Sequence, residues 1–320
     1  MLTHLKISGF KCLKSVDVPL KPLTVLIGPN DTGKSAFLSA VQHLARNPND
    51  FPFALEDSWR FDPANNIEII GSTSLGQILK ARTAGTLDHR APTGGLDLIV
   101  PTNRYQLPMA GISTRSAGFG QNEVPWELGE TGDRLASVLD ALLRLDRIRF
   151  DQVITVLRQL VPGFENLRVT TPTADTREVY FEIDGGFVMP ASLASVGVRL
   201  LLFIVVLVHL PRPPRIILLE EPENGVHPRR LEEIMQMLHD ATLGSYGGRS
   251  SQIILTTHSP YLLDLVDLDR DQVLVFSREP DGSRTARPVD AERMKTFLDE
   301  FMLGEVWFNQ SEAGLVAKSP

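Results

Sequence analysis

The chain has 320 residues, 42% hydrophobic and 22% charged, with 24 Gly and 22 Pro, the composition of an ordinary globular chain of one large domain or two. The single cysteine, Cys12, excludes an internal disulfide and suits a reducing cytosol, and the opening MLTHLKISGF lacks the long apolar core of a signal peptide. A net charge of −7 and a pI near 5.6 do not announce a nucleic-acid binder, although they leave room for a local basic groove.

In chain order, Leu23-Thr24-Val25-Leu26-Ile27 reads as a short buried strand. Gly28-Pro29-Asn30-Asp31-Thr32-Gly33-Lys34-Ser35 follows at once and fits the phosphate-loop pattern G-x-x-x-x-G-K-[ST]; Ala36, Phe37, Ala40, Val41 and Leu44 then fall at helical spacing. A strand, a Gly-rich turn and a helix N-terminus aim backbone N–H groups at a nucleotide's phosphates. Lys34 would reach the outer phosphates and Ser35 would ligate Mg²⁺. Gly28 and Asn30 to Ala36 are the expected nucleotide-binding residues, with ATP as substrate and Mg²⁺ as cofactor. A chance Gly-rich turn is the plainer alternative.

Residues from about 47 to 190 form an expected insertion before the next motifs. The stretch Ala81 to Gly120, rich in Gly, Pro, Ser and Thr, is expected to be loop-heavy and mobile. Its Arg82, Arg90, Arg104 and Arg115 suit either a solvated connection or a face for DNA or a partner. Two amphipathic helices follow, one carrying Leu135, Val138, Leu139, Leu142 and Leu143, the other Phe150, Val153, Ile154, Leu157 and Leu160. Glu178 to Val188 predicts a hairpin turning at Asp184-Gly185-Gly186. Leu200 to Val208 is an apolar run too short to cross a bilayer, hence a buried helix.

Pro213 to Pro228, PPRIILLEEPENGVHP, sends an apolar strand into two adjacent glutamates. Neighbours on a strand face opposite ways, so two at its tip can serve separate tasks. With a phosphate loop upstream, the strand is expected to end beside the first one, Glu220 supplying the metal-side carboxylate and Glu221 polarising the attacking water. A solvated strand end is the alternative. Ile253 to Pro260 is again an apolar strand, and its terminal His258 would hydrogen-bond the γ-phosphate or the lytic water. The other six histidines, His4, His43, His89, His209, His227 and His239, form no zinc set with Cys12.

The ordered set GPNDTGKS, LLEEPENGVHP and TTHSP resembles the ABC-type ATPases of the RecF/SMC/OLD group, and most closely the OLD-like AAA family ATPases that lack a Toprim nuclease domain. The opening HLKISGFKCLKSVDVPLKPLTVLIGPN and the late FLDEFMLGEVWFNQ extend the similarity along the chain. The resemblance implies an α/β fold, an ABC-ATPase head with a mostly parallel sheet, N-terminal antiparallel strands and a helical and loop insertion, as a single domain over 1–320. It implies a head-to-head homodimer closing on ATP, in which Ser195 and Gly197 of Ala191 to Arg199 act in trans as the signature loop, while Asn224 to Pro228 helps join the heads. A Ser/Gly-rich helix start is the plainer reading of that segment. Two positions depart from the family: Glu220 stands where Asp is usual, and Asp31 where glycine is common, which requires an Asp at positive φ. The family's Gln-loop is not identifiable; Gln77, Gln106 and Gln121 are available.

The expected function is Mg-dependent ATP hydrolysis in the cytoplasm, coupled to a DNA-repair or anti-phage-defence partner such as a nuclease or toxin, with no membrane; DNA is left open as a further ligand that the charge does not announce. The alternative is a slow ATP-dependent switch that recruits an effector, hydrolysis serving as a timer. A P-loop kinase or a soluble transporter subunit fits the motifs poorly.

Overall fold

The computed structural model describes residues 1–45, 53–62, 66–82, 102–106, 113–119, 125–247, 249–292, 294 and 301–316. Their strands are β1 (Leu2–Phe10), β2 (Leu13–Pro19), β3 (Leu23–Ile27), β4 (Glu68–Thr73), β5 (Ile78–Arg82), β6 (Thr102–Gln106), β7 (Arg115–Ala117), β8 (Phe164–Thr173), β9 (Thr176–Ile183), β10 (Phe187–Pro190), β11 (Ile216–Glu220), β12 (Gln252–Thr256), β13 (Gln272–Arg278) and β14 (Arg284–Pro288). The helices are α1 (Lys34–Ala45), α2 (Leu135–Leu145), α3 (Arg147–Leu160), α4 (Val196–Val208), α5 (Pro228–Leu243), α6 (Pro260–Leu263) and α7 (Leu303–Leu315). They sort into two compact units, one of Met1–Arg104, Pro214–Glu220 and Ser251–Pro320, the other of Tyr105–Pro213 and Glu221–Ser250.

The first unit is built on a mixed sheet in the order β5-β4-β1-β2-β14-β13-β3-β12-β11-β6. Its centre, β13-β3-β12-β11, is parallel; β1 pairs antiparallel with β2, as the resemblance implies, and also with β4. The central strands are short apolar runs because both faces are covered: all five residues of β3 and of β12 are buried. Helix α1 packs on one face through Phe37, Leu38, Ala40 and Val41, with the Phe37 and Phe276 rings edge to face at 5.6 Å. Ile216 and Leu218 of β11 belong to this same cluster. By the two-residue period of a strand, Glu220 therefore leaves β11 toward the α1 side.

In the second unit β9 is the central strand, flanked by β8 on one edge and by β10 and β7 on the other, all antiparallel. The β9–β10 turn is the expected one, Asp184, Gly185 and Gly186 taking φ of 44°, 81° and 92°. Helices α2 and α3 bury Leu135, Val138, Leu139 and Leu142, and Phe150, Val153, Ile154 and Leu157, while the expected Leu143 and Leu160 are only half-buried. Every residue from Leu200 to Val208 in α4 is buried, which confirms the run as a core helix. Among the described residues no helix is long and apolar enough to cross a membrane.

Of Ala81 to Gly120, residues 83–101, including Arg90, and 107–112 lie outside the described residues, as do 120–124 with Gln121. The described residues of that stretch include the end of β5, β6 and β7. Short edge strands with alternating polar residues carry little apolar signal, so the sequence does not announce these three.

Candidate nucleotide-binding site

The turn from β3 into α1 is fixed by tight backbone packing. Gly28 has φ 135°, and a Cβ there would stand 2.3 Å from the Phe276 carbonyl oxygen, so no side chain fits. Asp31 takes φ 60°, the positive value its place in the motif requires, and its carbonyl accepts from Arg284 Nε at 2.7 Å. The buried Thr32 donates its hydroxyl to the Pro29 carbonyl at 2.7 Å, while Asn30 is exposed. Lys34 is only 7% exposed, and its ammonium donates to the Gly28 and Pro29 carbonyls at 2.7 and 2.9 Å, inside the loop. Gly33 precedes α1, and Lys34, Ser35 and Ala36 form its first turn, where backbone N–H groups lack intrahelical carbonyls and suit an anion.

Two cavities flank this turn. One of about 490 Å³ is bordered by Lys11, Cys12, Ala36, Ser58, Trp59 and Arg60. The other, about 480 Å³, lies along Pro29 to Thr32 and is bordered by Arg278, Arg284 and Arg287. Burial pushes the Cys12 thiol up from its ordinary value, so it stays protonated and acts as packing beside the loop.

Parallel register brings three strand tips to one edge. Glu220 is level with Thr256, and Thr256 with Leu26, so His258 and Gly28 each follow two residues beyond a matched pair. The expectation that the Glu220 strand ends directly beside the β3 strand is corrected, since β12 with His258 runs between them. Sequence order cannot reveal such a crossover. Even so, the Ser35 hydroxyl donates to Glu220 Oε2 at 2.9 Å, because β11 sends Glu220 to the α1 face and α1 starts with Ser35. A hydroxyl and a carboxylate converging in this way are hard oxygen donors suited to Mg²⁺, so these residues fit that ion. His258 is exposed at the same edge, just before Ser259, which caps α6 by accepting from Leu262 N–H.

Arg104 is the residue that sequence reasoning misplaced. It is neither a solvated connector nor a face for DNA: on β6, its Nε donates to Glu220 Oε1 at 2.6 Å. Nothing in TNRYQ signals a partner 116 residues away.

The remaining predicted residues belong to the second unit. Glu221 has φ 47°, a left-handed value that is strained for a non-glycine, and one carboxylate oxygen accepts from the Asn224 side-chain amide at 2.8 Å. Ser195 is the N-cap of α4, accepting from Val198 N–H at 3.3 Å. Gly197 lies in the first turn of α4, where a Cβ would stand 2.9 Å from the Gly225 carbonyl oxygen. The structure thus brings the Ser195–Gly197 segment against the loop that follows Glu221. His227 caps α5, accepting from Arg229 N–H at 3.3 Å.

Comparison with known proteins agrees with this architecture. Residues 102–264, just over half of the chain, match the family described as "AAA domain, putative AbiEii toxin, Type IV TA system", and residues 1–80 match an AAA ATPase domain family. An OLD nuclease from Thermus scotoductus (strain ATCC 700910 / SA-01) is 24% identical over 88% of this chain; the chain spans 65% of that relative's length. The SMC head domain from Thermotoga maritima superposes with a TM-score of 0.51 at 14% identity, over 90% of this chain and 99% of that one. An SmcHead bound to the C-winged helix domain of ScpA gives a TM-score of 0.57 at 13% identity, over 91% and 99%. The chain belongs to this AAA domain family and has the α/β fold of an ABC-type ATPase head.

Proposed function

We propose that the chain binds ATP with Mg²⁺ at the turn between β3 and α1 and hydrolyses it as a head that pairs with a second copy around the nucleotide. The observation that carries this reading is the Ser35–Glu220 hydrogen bond of 2.9 Å beside the buried Lys34. Lys34 would exchange its two loop carbonyls for the outer phosphates, and the first N–H groups of α1 would hold the phosphate chain. Ser35 and Glu220 would hold the ion, which when bound would supply neutralisation of the charge developing on the phosphates. Glu221 would take the proton of the attacking water, with Asn224 fixing its carboxylate, and His258 would hydrogen-bond the γ-phosphate or that water. Ser195 and Gly197 of the second copy would complete the site, in a head whose insertion covers residues from about 47 to 190.

The relative named as a nuclease and the family description naming a toxin support a partner of that class, acting in DNA repair or anti-phage defence. One Glu221 oxygen is already committed to Asn224, which favours a second reading, a slow switch whose ATP-bound dimer recruits that effector.

The test is phosphate release by the purified chain with Mg-ATP, together with light scattering. Glu221→Gln should lower turnover by roughly 10²- to 10⁴-fold and trap an ATP-dependent dimer. A variant that hydrolyses at the wild-type rate would remove Glu221 from its role. Effector output surviving in the trapped dimer would select the switch over the hydrolysis cycle.

A further inference from the structure

The guanidinium of Arg104 does more than neutralise a neighbour. Its Nε and Nη2 both approach Glu220 Oε1, at 2.6 and 2.5 Å, while Nη1 donates to Ser39 Oγ at 2.8 Å and reaches Gln42 Oε1 at 3.5 Å. Ser39 in turn donates to the Ser35 carbonyl at 3.0 Å, so Arg104 is fastened to α1 while it grips the carboxylate. Only 12% of the Arg104 side chain and 19% of that of Glu220 is exposed, so water screens the pair little. The two oxygens of Glu220 are therefore divided, Oε2 facing the Ser35 hydroxyl and Oε1 facing a fixed positive charge. A guanidinium and a divalent cation on one carboxylate repel each other strongly at such range. A forked guanidinium also holds a carboxylate rotamer better than an ammonium does.

We propose that Arg104 is a positioning residue, an internal counter-cation that holds Glu220 toward Ser35 and keeps divalent metal off the carboxylate until nucleotide and Mg²⁺ arrive together and displace it. This rests on the reading of Ser35 and Glu220 as the metal-side pair. It makes metal entry depend on nucleotide, since phosphate oxygens must contribute what the carboxylate alone cannot offer.

The experiment titrates Mn²⁺ into the nucleotide-free protein and follows the free ion by electron paramagnetic resonance. Arg104→Gln should bind Mn²⁺ roughly tenfold more tightly than wild type, or better. Adding Glu220→Gln to it should abolish the gain, and Arg104→Lys, which keeps the charge but loses the fork, should shift the affinity less in the same direction. Melting temperatures with and without Mn²⁺ verify folding, and Mn²⁺ should restore stability in Arg104→Gln more than in wild type. If Arg104→Gln is poorly folded, the Arg104→Lys titration decides alone. Unchanged or weaker Mn²⁺ binding in the folded Arg variants overturns the proposal, as does a gain that survives Glu220→Gln. A parallel ATP titration separates the two readings: wild type that binds no ATP with Mg²⁺ sinks the proposed function, whereas the Mn²⁺ arm decides on Arg104 in either case.

Discussion

Replacing Gly197 with Ala tests how tightly the start of α4 is built against the loop behind Glu221. The added Cβ would stand 2.9 Å from the Gly225 carbonyl oxygen and 3.5 Å from Val226 Cα, both backbone atoms that no rotamer change can move aside. Relief needs the loop or the first turn of α4 to shift by about half an ångström, and overpacking of this kind costs about 1–3 kcal/mol. Working the other way, Ala in place of Gly in a helix gains about 1 kcal/mol. The net expectation is a loss of about 1 kcal/mol, or about 1–2 °C in melting temperature for a chain of this size. The loop that must yield also holds Asn224 on Glu221, so turnover should fall by more than the stability loss explains. Thermal melting without nucleotide and phosphate release at saturating Mg-ATP measure the two effects separately. A variant that melts higher than wild type and turns over normally would refute the reasoning. The helix-propensity gain would then stand alone, and the close approach to Gly225 would carry no weight.

Two further changes probe each unit. Ser35→Ala removes the hydroxyl that meets Glu220 Oε2, and the Mg²⁺ concentration for half-maximal ATP binding should rise roughly 10- to 100-fold, read by fluorescent-nucleotide titration. An unchanged requirement would take Ser35 out of the metal shell. In the second unit, burial pushes the His209 imidazole below its ordinary value, helped by nearby Arg149 and opposed by the Val205 carbonyl 2.7 Å from Nδ1. The unfolded chain therefore takes up a proton near pH 6.5 that the folded chain refuses, so stability falls as pH drops below about 6.5. Urea melts at pH 7.5 and 5.5 should show a smaller pH effect in His209→Gln than in wild type; equal slopes would mean that other groups dominate.

The parts of the fold that were legible in sequence are those carried by contiguous residues. GPNDTGKS sits between an apolar strand and an amphipathic helix, and the structure builds that turn with Asp31 at positive φ. The face taken by Glu220 follows from counting back by twos to Leu218 and Ile216. Asp184-Gly185-Gly186 announces its hairpin, and the run Leu200 to Val208 announces a core helix. Pairings between distant segments were not legible. Arg104 meets Glu220 across 116 residues from a five-residue edge strand, and β12 slips between β3 and β11 although it follows both in the chain. The long strand β8 was missed because its second half faces solvent and shows no apolar alternation.

Two motif residues held at positive φ, Asp31 and Glu221, can be weighed against each other through backbone strain. Asp31 and Glu221 both adopt left-handed φ, at a cost of roughly 1–2 kcal/mol for a residue with a Cβ. Each follows a rigid strand: β3 is buried throughout, and four of the five β11 residues are buried, so the strain has nowhere to relax. For Glu221 the side chain explains why no glycine took the place, because the left-handed turn and the adjacent Asn224 amide together aim the carboxylate. Its backbone carbonyl also accepts from Asn224 N–H at 3.1 Å, so one residue fixes both the turn and the side chain. For Asp31 the contact that holds the turn is backbone, the carbonyl accepting from Arg284, and any residue able to reach φ 60° would offer that acceptor. Glycine would suit Asp31's place at lower cost, whereas at Glu221 it would relieve the strain and delete the carboxylate that Asn224 holds.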